Sequence, residues 1–459
     1  MSKDTTKDCP FCGETIKAVA RKCKHCGEWL DAALPATAPA FAPVVGLARP
    51  AVVLVNGLEA GQVLDLLTHL VDKNLVVFEE DEAGQGRYRL LETVRQYTRD
   101  RLLESGESQT MRGRHQDYFR RFAEEAAPRL REAKSAVWFQ SLETEHDNLR
   151  IALEWCLTQE DDEQNGAEVG LRFCEALSTF WDLSAHLREA RHSLTNALSR
   201  TASLGRTKER ATVLRWCGVF ASRQGDYDAA QSLLQEALAM SKELGDGNGA
   251  AYALGNLAWL ASHQRDYDRA RTLLEESRAL FQESGERSGL ASSLHQLGIL
   301  AEYEGDYPQA RSLYEQTLGL FRELGNHREV SWTLHGLGFL ALCEQDFARA
   351  RALLTESLAL FCDMEEGWGK VRSLERFANL AMAEGQVTRA VRLLGSADAA
   401  REIMGASQPS SEREEHDRII AAARSALEEN AFDVAWAEGQ AMSLEQAVAY
   451  AQAEETGAP

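Results

Sequence analysis

Four of the nine cysteines stand in two pairs with the same grammar, Cys9-Pro-Phe-Cys12-Gly and Cys23-Lys-His-Cys26-Gly, with ten residues between them. A CxxC turn brings two sulfurs to one side of a tight loop. The glycine after the second cysteine lets the backbone fold back and point its amides at the thiolates. Two such turns face to face supply four sulfurs, the tetrahedral set that Zn²⁺ prefers. A redox dithiol would need only one pair, near a βαβ pattern that is absent here, and iron in a four-cysteine site is the other chemical alternative. Four thiolates leave no open coordination position. The expectation is therefore one structural Zn²⁺ held by Cys9, Cys12, Cys23 and Cys26, folding a segment too small to have a core. The other five cysteines are scattered, mostly within apolar helical patterns, which suits a reducing compartment better than a disulfide framework.

The knuckle resembles the short zinc-ribbon modules found at the start of bacterial proteins, with Trp29-Leu30 as its hydrophobic exit. Asp31 to Pro50 follows, with four of the nine prolines amid alanine and threonine, the composition of an extended tether. From Ala51 to Glu107 the pattern is a helical stripe (Val63, Leu66, Leu67, Leu70), two strand-like runs around an acidic turn, then a second helix. That is the C-terminal part of a winged-helix layout. Its arginines, Arg87 to Arg101, invite a DNA-binding reading, but Glu79 to Glu82, Glu92, Asp100 and Glu104 are interleaved with them. A solvated Arg/Glu face is the favoured reading.

Self-similarity dominates the rest. Gly225-Asp-Tyr-Asp-Ala-Ala230 recurs with a period of 40 as Arg265 to Ala270, Gly305 to Ala310 and Gln345 to Ala350. Leucines at 214, 254, 294, 334 and 374 and small residues at 218, 258, 298, 338 and 378 keep the same step. Each unit reads as two antiparallel helices, with the small residue permitting close approach and Asp226, Asp266, Asp306 and Asp346 capping the second helix. Gly245, Gly285 and Gly325 mark where second helices end; Glu365 replaces that glycine, so its helix is expected to run on or end differently. The pattern is similar to the tetratricopeptide repeat with lengthened helices, about six units stacked into a superhelix with a concave groove. Register places Arg215, Tyr252, Trp259, His295, Glu302, Trp332, His335 and Phe339 on the concave side, together with Val219 and Ile299. Aromatic, histidine and arginine side chains there suit a protein or peptide partner. Ser410 to Ala426 and Phe432 to Gln452 read as amphipathic helices that cap the open end.

The expected fold is mostly α: a tetratricopeptide-like solenoid preceded by a small winged-helix-like α/β element and a zinc ribbon. Its divisions are ribbon 1–30, linker 31–50, winged-helix-like remnant 51–107, connecting helices 108–166, repeats 167–407 and capping helices 408–459.

From Glu59 onward the sequence resembles the C-terminal portion of bacterial STAND-class predicted ATPases, which include LuxR-type and SARP-type regulators. The resemblance rests on Leu67 to Val77, Tyr88 to Tyr97, Leu142 to Trp155, the repeats, and Trp436 to Tyr450. It implies that the winged helix restrains a nucleotide-binding domain while the repeats sense a ligand or partner. No GxxxxGK[ST] is present and no helix-turn-helix follows Tyr450, so ATPase activity and a bound nucleotide are not carried over. No HExxH or nucleophile elbow points to an enzyme, and His146, between Glu145 and Asp147, has neighbours that do not face it on a helix.

The expected function is a non-enzymatic interaction or adaptor protein that senses or scaffolds through the repeat groove, with the ribbon as a tethered second contact. The alternative is a transcriptional regulator whose ribbon or winged helix contacts DNA. Lys and Arg number 50 against 71 Asp and Glu, a net charge of -21. Residues 1–121 hold 17 basic and 17 acidic side chains, and 122–459 hold 33 and 54. Nucleic acid is thereby excluded for the body and left open for the N-terminal quarter. The most apolar window, Phe41 to Leu58, contains prolines, Arg49 and Asn56, and Met1 to Lys7 is polar, so neither a membrane span nor a signal peptide is expected. The expected location is the cytoplasm.

Overall fold

A computed structural model describes residues 6–8, 15–17, 60–80, 86–130, 135–158, 163–184, 186–202, 205–407 and 410–453. Cys9, Cys12, Cys23 and Cys26 lie outside the described residues. The chain divides into two units, Met1–Met111 and Arg112–Pro459.

In the first unit β1 (Thr6–Asp8) pairs antiparallel with β2 (Thr15–Lys17), Lys7 opposite Ile16. In sequence these strands bracket the first cysteine pair. Helix α1 (Ala60–Asp72) leads into β3 (Val76–Glu80) and β4 (Gly86–Leu90), an antiparallel wing in which Phe78 faces Tyr88 with ring centroids 5.1 Å apart. Helix α2 (Glu92–Glu104) follows.

The second unit is helical throughout its described residues. Helices α3 (Ser108–Arg129), α4 (Ser135–Thr144) and α5 (His146–Thr158) pack Phe119, Leu142 and Leu149 into one core with Phe173 and Trp181 of α6 (Glu163–Leu183). The first hairpin is α6 with α7 (Leu187–Arg200). Five more follow: α8 (Lys208–Arg223) with α9 (Tyr227–Glu243), α10 (Gly247–His263) with α11 (Tyr267–Ser284), α12 (Arg287–Glu304) with α13 (Tyr307–Glu323), α14 (His327–Cys343) with α15 (Phe347–Asp363), and α16 (Gly367–Ala383) with α17 (Val387–Met404).

The 40-residue step has a plain local cause. The side chains of Asp226, Asp266, Asp306 and Asp346 each accept the amide three residues on, at 3.1–3.3 Å, and so start every second helix from α9 to α15. The alanine that follows each cap, Ala230, Ala270, Ala310 and Ala350, is wholly buried at the helix crossing. Gly298 and Gly338 lie so close to the partner helix that a Cβ would sit 2.8 Å from Tyr314 and Leu354 respectively. One expectation is corrected: Glu365 does not extend its helix. It takes φ 55°, the left-handed turn that glycine takes at 245, 285 and 325, and α15 ends at Asp363 like its counterparts. The run Phe432 to Gln452 is likewise two helices, α19 (Glu429–Gln440) and α20 (Leu444–Gln452), the latter opened by a Ser443/Gln446 capping box. They pack on α17 and α16 through Phe432, Trp436 and Ala447.

The superhelix curves until its far units meet its first ones. Asp182, near the end of α6, receives Arg223 of α8 and Arg328 of α14, both at 2.8 Å. The Arg328 fork also donates through Nε and Nη2 to both oxygens of Glu366, each at 3.1 Å. Glu366 has no exposed surface and Asp182 very little. Burial pushes the Glu366 carboxyl up and Arg328 opposes it; for Arg328 burial is overcome by Glu366 and Asp182, which raise the guanidinium. The segment after α17 continues the closure, the Ser407 amide donating to the Arg223 carbonyl at 2.9 Å. Helix α18 (Ser410–Ala426) then reaches across, pairing Glu414 with Arg265 at 2.7 Å and Glu415 with Asn379 at 3.0 Å.

Removing Arg328 leaves the fully buried Glu366 without its partner and Asp182 with Arg223 alone. Arg328→Ala should lower the unfolding free energy by about 3–5 kcal/mol, as urea denaturation followed by circular dichroism would measure. A loss below about 1 kcal/mol, the size of an exposed ion pair, would show that the closure is not a stability element.

Candidate functional site

Because each first helix of a hairpin faces inward, the repeat register lines one internal surface with α8, α10, α12, α14 and α16. They line a half-open cavity of about 270 Å³, to which Tyr314 of α13 and Ser407 also contribute. Five of the eight residues placed there by register line it: Trp259, His295, Glu302, Trp332 and His335. So do Val219 and Ile299. Arg215, Tyr252 and Phe339 do not. Arg215 lies over Trp216 and Tyr252 with its guanidinium carbon 4.8 and 5.5 Å from the ring centroids, Tyr252 meets Phe281 edge-on at 4.8 Å, and Phe339 packs with Ala310 and Leu340.

The cavity wall is aromatic with charged insets. Trp259 stacks on His263 at 3.7 Å, and Trp332 meets His335 and Phe361 edge-on at 5.7 and 4.9 Å. The Tyr314 hydroxyl donates to Glu302 at 2.7 Å, and Arg376 lies 3.5 Å from the same carboxylate while its guanidinium covers the Phe339 ring at 3.9 Å. Arg372 pairs with Glu375 at 2.6 Å. The Nε2 atom of His295 and the Nδ2 atom of Asn256 are buried without a hydrogen-bond partner. Such atoms are what a ligand's polar groups would satisfy. Burial holds both His295 and His335 below the ordinary imidazole value, Arg376 and Arg372 adding to the effect at His335, so both are neutral rings. The two lining serines direct their hydroxyls at backbone carbonyls, Ser222 at Val219 and Ser407 at Arg223. The chemistry on offer is recognition of a ligand with an apolar or aromatic body and a few polar groups.

Sequence reading missed Arg223, Arg328, Arg372 and Arg376. A signal was present in the last two. Arg372 occupies the column of Thr212, Tyr252, Ser292 and Trp332, and Arg376 that of Trp216, Asn256, Gln296 and Gly336, so a charge replaces an uncharged residue in one unit only. It also missed a grouping away from the cavity: His146 at the start of α5 and His186 before α7 stack with centroids 4.2 Å apart, each beside a glutamate.

The first unit presents a different surface. Helix α1, which precedes the wing, contains no lysine or arginine. Arg89, Arg95 and Arg101 are paired with Glu79, Glu92 and Glu104 at 2.6–2.9 Å, and Leu66, Phe78, Leu90 and Tyr97 are exposed. Among the described residues no helix is long and apolar enough to cross a membrane.

The tetratricopeptide repeat family matches residues 209–283 and 289–363, and the winged helix-turn-helix domain matches residues 44–103. The chain therefore carries both modules. Proteins of Mycobacterium bovis and Mycobacterium tuberculosis, each named "Putative HTH-type transcriptional regulator", are 40% identical over 155 residues; the match spans 32% of this chain and 16% of theirs. Among solved structures, the Rap protein complexed with competence and sporulation factor is 12% identical, covering 71% of this chain and 99% of its own, with a TM-score of 0.43. BtubC from P. vanneervenii is 21% identical, covering 49% of this chain and 92% of its own, with a TM-score of 0.39.

The two neutral histidines set a pH dependence. In the unfolded chain each takes up a proton as pH falls through 6.5, whereas burial disfavours that proton in the folded ring, so folded stability declines below that value. Replacing both with glutamine should flatten the stability profile between about pH 6.5 and pH 5 by up to ~1.4 kcal/mol per pH unit for each histidine. Denaturation midpoints across that range, compared between the two proteins, provide the check; parallel profiles would contradict it.

Proposed function

We propose that the chain is the non-enzymatic sensing portion of a transcriptional regulator, in which the repeat ring holds a short segment of a partner protein or peptide. The observation that carries this reading is the half-open cavity lined mainly by first helices of five consecutive repeats, aromatic over much of its wall and holding unsatisfied buried polar atoms. Its volume is near the lower end of ligand sites, of order 300 Å³, so it suits a few residues of peptide rather than a folded domain. Trp259, Trp332 and Trp368 all line it, so occupancy should alter intrinsic fluorescence. A set of short peptides titrated into the full chain should include members giving a saturable emission change that Arg376→Ala weakens at least about tenfold with the melting temperature retained. If no peptide gives a saturable change, or if Arg376→Ala leaves it intact, the cavity is not the site.

A second reading, direct DNA contact by the winged helix, is favoured by the winged helix-turn-helix match. The chemistry of the element weighs against it: the helix before the wing has no cation, and Arg89, Arg95 and Arg101 are neutralised by glutamates. The same element, exposing leucines and aromatic rings, suits a protein contact, which is how a winged helix restrains a neighbouring domain in the STAND-class regulators that the sequence resembles. Duplex DNA mixed with the full chain at low salt should show no mobility shift; a shift that fades steeply with added salt would reinstate DNA contact.

The ribbon completes the proposal as a structural zinc site formed by Cys9, Cys12, Cys23 and Cys26. The paired CxxCG turns support it. Cys23→Ser with Cys26→Ser should remove one zinc per chain by elemental analysis.

A further inference from the structure

Where the connecting helices meet the first repeat hairpin, four ligand-forming side chains converge from four places in the sequence. Glu143 comes from the last turn of α4, His146 from the first residue of α5, His186 from the residue before α7, and Glu189 from the first turn of α7. The two imidazoles stack at 4.2 Å with 17° between their planes. Nε2 of His186 is 3.1 and 3.3 Å from the two oxygens of Glu143, and Nε2 of His146 is 3.0 Å from Oε1 of Glu189. One ligand atom each from His146, His186 and Glu189 can be chosen so that all lie within 4.8 Å of one another, and this is the only such group among the described residues.

Three features set this group apart from an ordinary surface ion pair. First, Nε2 of His146 is buried yet has no aligned hydrogen-bond partner, despite its short distance to Glu189. Second, the His146–Glu189 separation of 3.0 Å is close to a tetrahedral edge, about 3.3 Å when metal–ligand bonds are roughly 2.0–2.1 Å long, while the spread of the three ligand atoms, up to 4.8 Å, leaves the group to tighten on binding. Third, the side chains retain between 19% and 31% of their exposure, so the group is sheltered but reachable from solvent. Two imidazoles with carboxylates form a nitrogen and oxygen set that favours a zinc-class ion over calcium or magnesium, which prefer oxygen alone.

We infer that His146, His186 and Glu189 form a binding site for a divalent transition-metal ion of the zinc class, beside which Glu143 steadies the His186 ring. The ion would tie α5 to the first repeat hairpin, a role distinct from that of the cysteine ribbon in ligand chemistry and in position along the chain. Binding replaces any proton on the two imidazoles, so the affinity falls as the medium is acidified.

The test uses the full chain in which Cys9, Cys12, Cys23 and Cys26 are all changed to serine, so that any remaining metal cannot be held by the ribbon. Titration calorimetry with Zn²⁺ at neutral pH should give one site per chain and a higher melting temperature in its presence. His186→Ala should weaken that site by about tenfold or more, and Glu189→Gln, which keeps the shape of the side chain, should weaken it as well. Co²⁺ bound to the same protein should show the weak visible bands of nitrogen and oxygen ligation without thiolate charge transfer. Absence of saturable Zn²⁺ binding would overturn the inference, leaving the cluster a proton-mediated pair of His–Glu contacts. Binding that both variants leave intact would overturn it equally. If His186→Ala prevents folding, Glu189→Gln decides.

Discussion

The second unit depends on moving two carboxylates and a guanidinium out of water together. Asp182 and Glu366 are almost fully buried, and neither would be tolerated there unless paired. Arg328 meets both, two-pronged on Glu366 and single on Asp182, and Arg223 takes the remaining side of Asp182. Solenoid units ordinarily touch only their neighbours, so their curvature is left to small rotations at each joint. Here the pairs join α6, α8, α14 and α16, and the curvature is fixed by an electrostatic contact that is satisfied only when the turn is complete. The closing arginines, Arg223 and Arg328, also line the cavity.

The distinction between neighbours and non-neighbours explains what could be read from the sequence. The hairpins, their caps and their crossings repeat every 40 residues because each follows from contacts within a unit or with the next one. Asp306 caps α13 and Gly298 admits Tyr314 for reasons that recur in every copy. Seven cavity residues, Val219 and Ile299 among them, were legible for the same reason. Arg215, Tyr252 and Phe339 were misplaced because register gives a face of a helix but not how far round that face the next unit extends. The closing residues have no periodic signature. They appear as breaks in a column, as at Arg372 and Arg376, and a break alone does not say what the charge meets. Glu365 illustrates the converse: the turn geometry imposed by its neighbours overrode the local preference for glycine. The His146–His186 pair was invisible because neither residue has its partners within one helix turn.

The charge distribution also takes on a more definite meaning. The N-terminal quarter is neutral in sum, and on α2 and the wing Arg89, Arg95 and Arg101 are each matched to a nearby glutamate. In the second unit a similar pairing recurs along the ring: Arg271 with Glu304, Arg311 with Glu344 and Arg351 with Glu384, one step of the repeat apart. These exposed or half-exposed pairs contribute little stability individually. Their regularity places acidic groups where cations already sit, and the uncompensated acidity lies elsewhere on the array.

The six hairpins have a consequence for how such a sequence can change. An open stack of repeats can gain or lose a unit by duplication or deletion, and the ends simply move along. In a ring clasped by Asp182, Arg328 and Glu366, a further 40 residues inserted between α8 and α14 would carry the two halves of the clasp past one another, and a deletion would leave them short. The copy number is thus fixed by geometry, and divergence in this chain is channelled into single residues that face inward, where one substitution alters what the ring can hold without altering the ring.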